Sequence, residues 1–309
     1  MKIVVVVAST NRAEEIGQLL RQLSEQTRRP DAVVLSVTCN EDLPQDVLET
    51  ADMNFGHNTG YGQPFVVKGS KGLTSQRNRG IELALPMADI ILFFDDDFLP
   101  ASDTIAEVER LFRDNAHIVG ATGKVICDGV TDGGISYDEA IAALKKFEAS
   151  TKKLPVTNKR TDELYGCNMA FRSSAIAETR FDETLPLYGW QEDVDFAGQL
   201  LGKGEIVKTT AFAGVHRGVN KGRSPGFSLG FSQIVNPVYL TKKGTMRPLK
   251  AATIMTKNFL ANHAKCIWPE SYIDRAGRMR GNWRGIWHLV GGRVDPTAVL
   301  TFQAPQRAK

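Results

Sequence analysis

The sequence predicts an α/β fold, in which a buried sheet is flanked by helices. Short apolar runs rich in β-branched residues alternate with amphipathic stretches along the first half of the chain, a pattern typical of strands joined by helices. The runs contain few polar residues, as do strands that are buried on both faces. The 309 residues are 42% hydrophobic and 24% charged, which is the composition of an ordinary globular protein.

The amino-terminal elements follow one another in a regular order. Residues 2–10, KIVVVVAST, form the first predicted strand, and Asn11 caps a helix that extends through roughly Gln26. The helix spacing groups four apolar residues on one side, namely Ile16, Leu19, Leu20 and Leu23. We then predict a strand at residues 31–38 and a mostly irregular segment at 40–72. A helix at 74–85, a strand at 88–94 and a helix at 102–113 follow. Right-handed crossovers bring the carboxyl ends of such strands to one edge, where ligands collect.

The second half of the chain continues the alternation. We predict a strand at residues 117–127, a helix at 138–148, a polar loop at 151–160 and a strand-to-helix segment at 166–176. A helix at 191–204, a strand at 205–217 and a glycine-rich basic loop at 219–230 follow. The helix at 191–204 begins with acidic residues and ends at a glycine, and both features suit the two ends of a helix.

Cysteine content and apolar patterning indicate the cellular environment. The four cysteines are far apart and form no CxxC pair, so we expect free thiols in a reducing cytoplasm and no cysteine-based zinc site. The sequence shows no signal-peptide pattern and no apolar stretch near the ~20 residues of a membrane span. We therefore expect a cytoplasmic protein.

The net charge of +3 conceals a strong asymmetry. Residues 217–309 carry 16 Lys and Arg against three acidic residues, a net charge of +13, while the remainder carries 22 basic and 32 acidic residues, a net charge of −10. A basic tail indicates an anionic partner such as nucleic acid, phosphate or a membrane surface. No nucleic-acid-binding module is recognisable, and we expect no nucleic-acid partner.

Three consecutive carboxylates, Asp95, Asp96 and Asp97, follow the apolar run ILFF at the end of a predicted strand. Adjacent carboxylates repel one another and are costly to bury without a partner. One explanation is capping of the helix near Ser102, for which a single aspartate suffices. The other is a Mn²⁺ or Mg²⁺ site, because hard cations select oxygen ligands and offset the repulsion. A site with few protein ligands leaves coordination positions open for a diphosphate.

These motifs and their order resemble family 2 of the nucleotide-sugar-dependent glycosyltransferases, which have the GT-A fold. FFDDD resembles the DxD motif of that family, and VVVASTNR resembles its first strand and base-binding loop. GLTSQRNRGIELA, GCNMAFR, YGWQEDVDF and GVHRG resemble the family's later segments in the same order. The resemblance covers about residues 1–230 and implies a GT-A catalytic domain there, with a mixed sheet, and a basic helical extension at 231–309.

The resemblance implies inverting transfer of a sugar from a nucleotide diphosphate, with Mn²⁺ or Mg²⁺ as cofactor. It assigns the metal to Asp95, Asp97 and His216, and the nucleotide sugar also to Asp95 and Asp96. The donor pocket is expected to include Ala8, Ser9, Thr10, Asn11 and Arg77. A UDP-sugar is the expected donor. Arg77 either pairs with the diphosphate or holds Asp95 in place, and both alternatives stay open here.

Two loops complete the expected donor site. Many family members place an aspartate after the second strand to contact uracil, and here Asn40, Glu41 and Asp42 are all candidates, with Asp42 chosen. Arg217, together with Lys221 and Arg223, lies on the basic loop after His216 and is expected to close over the diphosphate. The alternative is a solvated basic loop.

The acceptor site is expected at Trp190, Glu192 and Asp193. The resemblance assigns the base to Asp193 and acceptor binding to Glu192, whereas two carboxylates at a helix start can also simply favour the helix dipole. Trp190 is expected either to stack on a sugar ring or to belong to the core. The absence of the QxxRW motif argues for one sugar added per acceptor.

The tail contains three of the four tryptophans, Trp268, Trp283 and Trp287. Trp283, Ile286, Trp287 and Val290 share one helical face among arginines, which is the pattern of a helix in a membrane interface. The alternative is a helix that packs on the catalytic domain. SPGFSLGFSQIVNP and KKGT resemble soluble bacterial exopolysaccharide glucosyltransferases, which implies a glycan or lipid-linked acceptor and a peripheral position at the inner face of the cell membrane.

Two other classes of protein fit parts of this pattern, and homo-oligomerisation stays open. A nucleotidyltransferase of related fold usually has a glycine-rich loop after its first strand, which ASTNRAEE lacks. A non-catalytic carbohydrate-binding relative would not need the complete set of acidic motifs. We therefore expect a metal-dependent hexosyltransferase.

Overall fold

The structure is a computed structural model that describes residues 1–45, 64–130, 133–150, 155–219 and 225–302. Its contacts group the chain into two compact units. Unit 1 comprises Met1–Lys71, Ser75–Arg180 and Leu200–Gly222, and unit 2 comprises Gly72–Thr74, Phe181–Gln199 and Arg223–Lys309. Because residues 181–199 group with the carboxyl-terminal helices, the units do not coincide with the boundary predicted at residue 230.

A nine-stranded sheet forms the centre of unit 1. Its strands are β1 Ile3–Ala8, β2 Ala32–Val37, β3 Phe65–Lys68, β4 Ile90–Asp95, β5 Phe98–Pro100, β6 Ile118–Asp128, β7 Asn158–Arg160, β8 Asn168–Arg172 and β9 Glu205–His216. They lie in the order β3-β2-β1-β4-β8-β6-β9-β5, with β7 beside β9. Strands β1 to β4 pair in parallel, and β8 is antiparallel to β4 and β6. The mixed sheet predicted for a GT-A fold is confirmed.

Among the described residues, five α-helices accompany the sheet: α1 Ala13–Ser24, α2 Leu73–Ala84, α3 Thr104–Asp114, α4 Tyr137–Ser150 and α5 Ser173–Ile176. Helix α1 buries Ile16, Leu19, Leu20 and Leu23, the side predicted from their spacing. Those residues join the apolar residues of β1, β2 and β4 in the main core. The hydrophobic runs of the sequence thus become a sheet interior that water does not reach.

The structure differs from the prediction in several segments. Residues 98–100 form the short strand β5, and Arg12 rather than Asn11 is at the N-cap of α1, without a side-chain cap. Residues 65–68 form β3 rather than loop, because FVVK pairs with the outer edge of β2, while 46–63 lie outside the described residues. Residues 158–160 of the predicted polar loop pair with β9 as β7, while 151–154 lie outside. The helix predicted at 191–204 ends at residue 199, before Gly202 and Gly204 with their positive φ. The basic loop is shorter than predicted, because a helix begins at residue 226.

Unit 2 contains the remaining described helices, α6 Glu192–Gln199, α7 Gly226–Lys243, α8 Pro248–Ala264 and α9 Arg275–Val290. Glycines let α7 and α9 pack at close range: a Cβ built at Gly281 would lie 2.1 Å from the carbonyl oxygen of Phe227. The helical character predicted for the tail is therefore present, and its helices pack on one another. Among the described helices, none combines the length and the apolar character that a bilayer crossing requires.

Candidate active site

Asp95, Asp97 and His216 form a compact cluster of potential metal ligands in unit 1. One ligand atom from each lies within 4.8 Å of the others. The sheet register creates this arrangement, because Asp95 ends β4 and His216 ends β9, where it pairs with Phe98 just after the aspartates. His216 Nε2 lies 3.4 Å from Asp97 Oδ1 and 3.9 Å from Asp95 Oδ2.

The donor set of this cluster fits a divalent cation. Asp97 Oδ1 is buried and makes no hydrogen bond with the described residues, which leaves a carboxylate oxygen available as a ligand. Two carboxylates and an imidazole nitrogen suit Mn²⁺ or Mg²⁺ chemically, since oxygen ligands dominate. If a cation binds, the side chains of Asp95, Asp97 and His216 would hold it.

A carboxylate outside the cluster, that of Asp128, fixes the orientation of the His216 ring. Asp128, the last residue of β6, lies 3.0 Å through Oδ1 from His216 Nδ1. The Tyr165 hydroxyl donates to the other oxygen of Asp128 at 2.7 Å. The ring therefore presents Nε2 toward Asp97, in the carboxylate–histidine arrangement that commonly supports metal-bound histidines. Sequence reasoning missed Asp128, although it ends a strand as Asp95 does.

Arg12 compensates the charge of the buried aspartates. Its Nη1 donates to Asp96 Oδ1 at 2.7 Å and lies 3.3 Å from Asp97 Oδ2. The other oxygen of Asp96 accepts from the Ser9 hydroxyl at 2.6 Å, and the other Arg12 nitrogen donates to the Val219 carbonyl at 2.9 Å. Sequence reasoning missed Arg12 as well, because its partners lie more than 80 positions away and only the parallel pairing of β1 with β4 brings them together.

The environments of these groups separate their pKa values. Burial raises the pKa of Asp96 to about 7, even though Arg12 opposes the shift. Burial also acts on Asp97, but His216, Arg12 and the Val219 N–H outweigh it and lower its pKa to about 2. Burial would lower the pKa of His216, but Asp128, Asp97 and Asp95 raise it to about 10. Without a cation, these environments favour an ionised Asp97 and a protonated His216, and they place the pKa of Asp96 near neutral pH. Binding of a cation through His216 Nε2 would release the proton of that nitrogen.

Arg77 contacts Asp95 directly. Its Nη2 donates to Asp95 Oδ1 at 2.9 Å and to the Gly166 carbonyl at 2.9 Å. Of the two alternatives left open by the sequence, the structure favours Arg77 as the residue that holds Asp95 in place. A direct contact between Arg77 and a diphosphate stays a prediction.

The first loop and the loop after β2 are tied together by Asp42. One Asp42 oxygen accepts from the backbone N–H of Asn11 at 2.6 Å, and the other accepts from the N–H and hydroxyl of Thr38 at 2.7 and 2.5 Å. These bonds outweigh the effect of burial and lower the pKa of Asp42. Asn11 itself has a φ of 58°, a conformation uncommon outside glycine. Asp42 thus shapes the expected base-binding loop, and its contact with uracil stays a prediction.

The remaining expected donor residues lie around this loop. Ala8 ends β1, where it pairs with Ser36 on one side and with Asp95 on the other. Thr10 lies 3.5 Å through its hydroxyl from the Gln76 side-chain oxygen. The segment predicted to hold the nucleotide is therefore adjacent to the aspartates in the sheet.

Arg217, expected on the basic loop after His216, is buried. Its guanidinium donates to the Ile135 carbonyl at 3.2 Å and to the side-chain oxygen of Gln18. Its backbone N–H donates to the Asp97 carbonyl at 3.0 Å. Lys221 and Arg223 lie outside the described residues. Within unit 1, these contacts tie the end of β9 to Gln18 of α1 and to Ile135. Closure of Arg217 over a diphosphate stays a prediction.

The predicted acceptor residues lie at the start of α6 in unit 2. Glu192 is buried and Asp193 is partly exposed, and Asp193 Oδ1 accepts from the Val194 N–H at 2.8 Å. Leu187 and Gln191, just before the helix, have φ values of 60° and 72°. Strained backbone of this kind persists where the surroundings impose it and is common at functional sites.

Trp190 adjoins this strained turn. It is partly exposed, and its carbonyl accepts from the Asn236 amide at 2.9 Å. That bond fixes the backbone of the turn to α7 and leaves the role of the indole open. Sugar stacking by Trp190, acceptor binding by Glu192 and base catalysis by Asp193 stay predictions.

The family model described as glycosyl transferase family 2 matches residues 4–180, more than half of the chain. The chain belongs to glycosyl transferase family 2. The matched segment contains the first loop, Arg77, the three aspartates and Asp128. No curated protein matches the sequence significantly.

Solved glycosyltransferases share the fold of this family 2 chain. S. aureus TarS 1–349 matches with 14% identity and a TM-score of 0.56, over 95% of this chain and 92% of that chain. The mannosyltransferase PcManGT from Pyrobaculum calidifontis, in complex with GDP-Man and Mn²⁺, matches with 15% identity and a TM-score of 0.50, over 97% and 78%.

Longer relatives match over part of their length. GalNAc-T7 with UDP, GalNAc and Mn²⁺ matches with 14% identity and a TM-score of 0.51, over 97% of this chain and 56% of that chain. This chain spans 45% of the longer TarS chain of a further structure. At these identities the likeness to TarS 1–349, PcManGT and GalNAc-T7 shows the fold alone.

Proposed function

We propose that this family 2 glycosyltransferase is an inverting, divalent-cation-dependent enzyme that transfers one sugar from a nucleotide diphosphate to an acceptor hydroxyl. The observation that carries the proposal is the cluster of Asp95, Asp97 and His216 at the strand ends, with ligand atoms within 4.8 Å of one another and one buried carboxylate oxygen without a hydrogen bond to the described residues. Such an arrangement suits a hard cation that shares its coordination with a diphosphate.

The proposed reaction is a single displacement at the anomeric carbon. A bond forms between the acceptor oxygen and the anomeric carbon, while the bond from that carbon to the diphosphate oxygen breaks. The acceptor proton passes to the carboxylate of Asp193, acting as general base. When bound, Mn²⁺ or Mg²⁺ supplies positive charge to the departing diphosphate.

The residues of unit 1 are proposed to hold the donor. Asp95, kept in place by Arg77, contributes to the metal or to the ribose and sugar, while Arg12 keeps Asp96 and Asp97 in position. The loop 8–11, fixed by Asp42, is proposed to bind the nucleotide base. We favour a UDP-sugar, such as UDP-glucose. UDP and UDP-GlcNAc complexes of TarS 1–349 support that choice, whereas the GDP-Man complex of PcManGT makes a GDP-sugar the natural comparison.

The residues at the start of α6 are proposed to bind the acceptor. Glu192 would position a hydroxyl through its carboxylate, and Trp190 would stack on a sugar ring of the acceptor. The acceptor is proposed to be a glycan or lipid-linked oligosaccharide in exopolysaccharide biosynthesis, at the cytoplasmic face of the membrane. A homo-oligomer is compatible with this proposal.

The test measures nucleotide release and sugar transfer with a panel of UDP- and GDP-sugars in Mn²⁺ and in EDTA. We expect one donor to raise the melting temperature in Mn²⁺, because a ligand of the native state stabilises it, and we expect EDTA to abolish that shift. Asp193→Asn should abolish transfer while keeping the donor-dependent shift, and Asp97→Ala should lose the shift itself. As a matched control, Asp114→Asn changes an exposed aspartate of α3 and should alter neither. Undiminished transfer by Asp193→Asn would remove that residue from the role of base.

A non-catalytic nucleotide-binding relative is the remaining alternative. It would give the melting shift without sugar transfer for any donor and acceptor pair. The family match argues against a nucleotidyltransferase, and the same panel would reveal one through diphosphate release from nucleoside triphosphates.

A further inference from the structure

We infer that the outer faces of α8 and α9 and the connector 265–269, here called the α8–α9 surface, bind an anionic lipid bilayer by lying in its interface. The inference concerns unit 2 alone, and it does not depend on the proposed chemistry.

Exposed apolar side chains are concentrated in this part of the chain. Within the described residues, most large hydrophobic side chains that remain exposed lie between residues 249 and 300. Trp268 is 83% exposed, Val290 72% and Trp287 66%. Concentrated exposure of this kind marks an interaction surface rather than scattered surface residues.

Helix α9 carries its exposed residues on one face. Arg280, Trp283, Arg284, Trp287 and Val290 are exposed and recur at spacings of three and four residues, so they form one stripe. The orientation of α9 is fixed by another face, where Gly281 and Gly285 are buried against α7. The tryptophans therefore cannot turn inward without separating two closely packed helices. Of the face predicted from the sequence, only Ile286 is partly buried.

Helix α8 adds a second stripe beside the first. Leu249, Thr253, Thr256, Lys257 and Leu260 are exposed at the same helical spacing. The two helices meet where the Trp283 ring lies edge-on to Phe259 of α8, with ring centroids 5.4 Å apart. The connector then adds exposed Ile267 and Trp268. Tryptophan with aliphatic residues on one side of a helix pair is the composition that suits the boundary between headgroups and acyl chains.

The charges of the surface select an anionic partner. Between residues 248 and 290 the chain has seven Lys and Arg and only two acidic residues, Glu270 and Asp274. Glu270 accepts from Arg275 at 2.8 Å and from Lys265 at 2.5 Å. Asp274 caps α9 by accepting from the Gly277 N–H at 2.8 Å. Both carboxylates are thus used within the helix pair. Lys257, Arg280 and Arg284 are exposed, and the Arg284 guanidinium lies over the Phe302 ring, 4.6 Å from its centroid.

A bilayer fits this surface better than a second copy of the chain. Two copies in face-to-face contact would bring the same exposed cations together, and the two carboxylates nearby are already paired. Anionic headgroups instead provide opposite charge, and the acyl region accepts leucine, isoleucine, valine and tryptophan side chains.

The experiment is co-sedimentation of the full chain with vesicles of phosphatidylcholine alone and of phosphatidylcholine with phosphatidylglycerol. We expect binding to the anionic vesicles at about 0.05 M salt and much weaker binding at about 0.5 M, where charges are screened. Trp268→Ser with Trp287→Ser should lower the partition coefficient at least about tenfold. Lys257→Gln with Arg280→Gln should lower it by roughly fivefold per charge.

Matched controls remove comparable groups from unit 1. Val156→Ser with Leu201→Ser deletes exposed apolar side chains, and Arg113→Gln deletes an exposed cation; each should bind vesicles as the unchanged chain does. Circular dichroism and melting temperature verify that all variants are folded. No binding to anionic vesicles at low salt would overturn the inference, as would equal binding by the tryptophan variant. Self-association in light scattering that the tryptophan variant abolishes, without vesicle binding, would assign the surface to a second copy instead. None of these outcomes depends on sugar transfer.

Discussion

Replacement of Arg12 by methionine tests how the chain tolerates its buried aspartates. Arg12 lies 2.7 Å from Asp96 and 3.3 Å from Asp97, and the Asp96 side chain is only 5% exposed. Methionine keeps much of the length and apolar contact of arginine but removes the charge and its hydrogen bonds. Asp96 would then retain the Ser9 hydroxyl as its described partner, which cannot neutralise a carboxylate.

The expected magnitude follows from the burial of this pair. Removing one partner of a buried ion pair costs about 3–5 kcal/mol, because the other charge is left uncompensated. With an unfolding entropy of about 2.1 cal/mol/K per residue, that loss corresponds to a fall in melting temperature of roughly 5–8 °C for the 309 residues. Asp97 adds less to the cost, since the Val219 N–H and His216 remain in contact with it.

The assay is a double-mutant cycle in EDTA, so that no added cation replaces the guanidinium. Stabilities of the unchanged chain, Arg12→Met, Asp96→Asn and the double variant are compared by urea and thermal unfolding. We expect the double variant to be more stable than Arg12→Met, with a coupling of about 1–3 kcal/mol. Arg113→Met, at an exposed arginine of α3, should stay within about 0.5 kcal/mol. Losses that add without coupling would refute the assigned role of Arg12.

Three further outcomes test other parts of the structure. Asp128→Asn should weaken Mn²⁺ binding about tenfold, measured by paramagnetic resonance of free Mn²⁺, because it loosens the support of His216; an unchanged affinity would contradict that support. Asp182→Asn should lower the free energy of unfolding by about 1–2 kcal/mol at neutral pH, because Lys243 and other donors outweigh the burial of Asp182 and lower its pKa to about 2. The difference in stability between this variant and the unchanged chain should vanish as pH falls from about 4 to 2. A difference that persists at pH 2 would refute the stabilising role of the ionised Asp182. Gly281→Ala should destabilise the helices of unit 2, since its Cβ would lie 2.1 Å from a backbone oxygen of α7; an unaltered melting temperature would show that the helices separate easily.

The fold was predictable from the sequence where local pattern determines structure. The runs that became β1, β2 and β4 are apolar except for Ser36 and Asp95, and they are buried up to the last residue of β1 and of β4. The α1 spacing places its leucines in the core. Edge strands such as β3 and β7 were missed, because pairing with a neighbour, rather than their own composition, makes them strands.

The candidate site was predictable only in part, for a related reason. The aspartate triplet is visible in the sequence, whereas Arg12 and Asp128 reach it through strand register that no local pattern encodes. Burial of Arg217 likewise depends on Gln18 and Ile135, which are distant in sequence. In the tail, the tryptophan face was visible from helical spacing, but the close contact of Gly281 with α7 depends on where another helix lies.

The most direct test of the central claim is an anomalous difference map from crystals grown with Mn²⁺ and UDP, recorded at the manganese absorption edge. We expect a single strong peak within coordination distance of Asp95, Asp97 and His216 Nε2, with the diphosphate completing the coordination. Bound UDP without manganese at these three side chains, or manganese bound elsewhere on the chain, would contradict it.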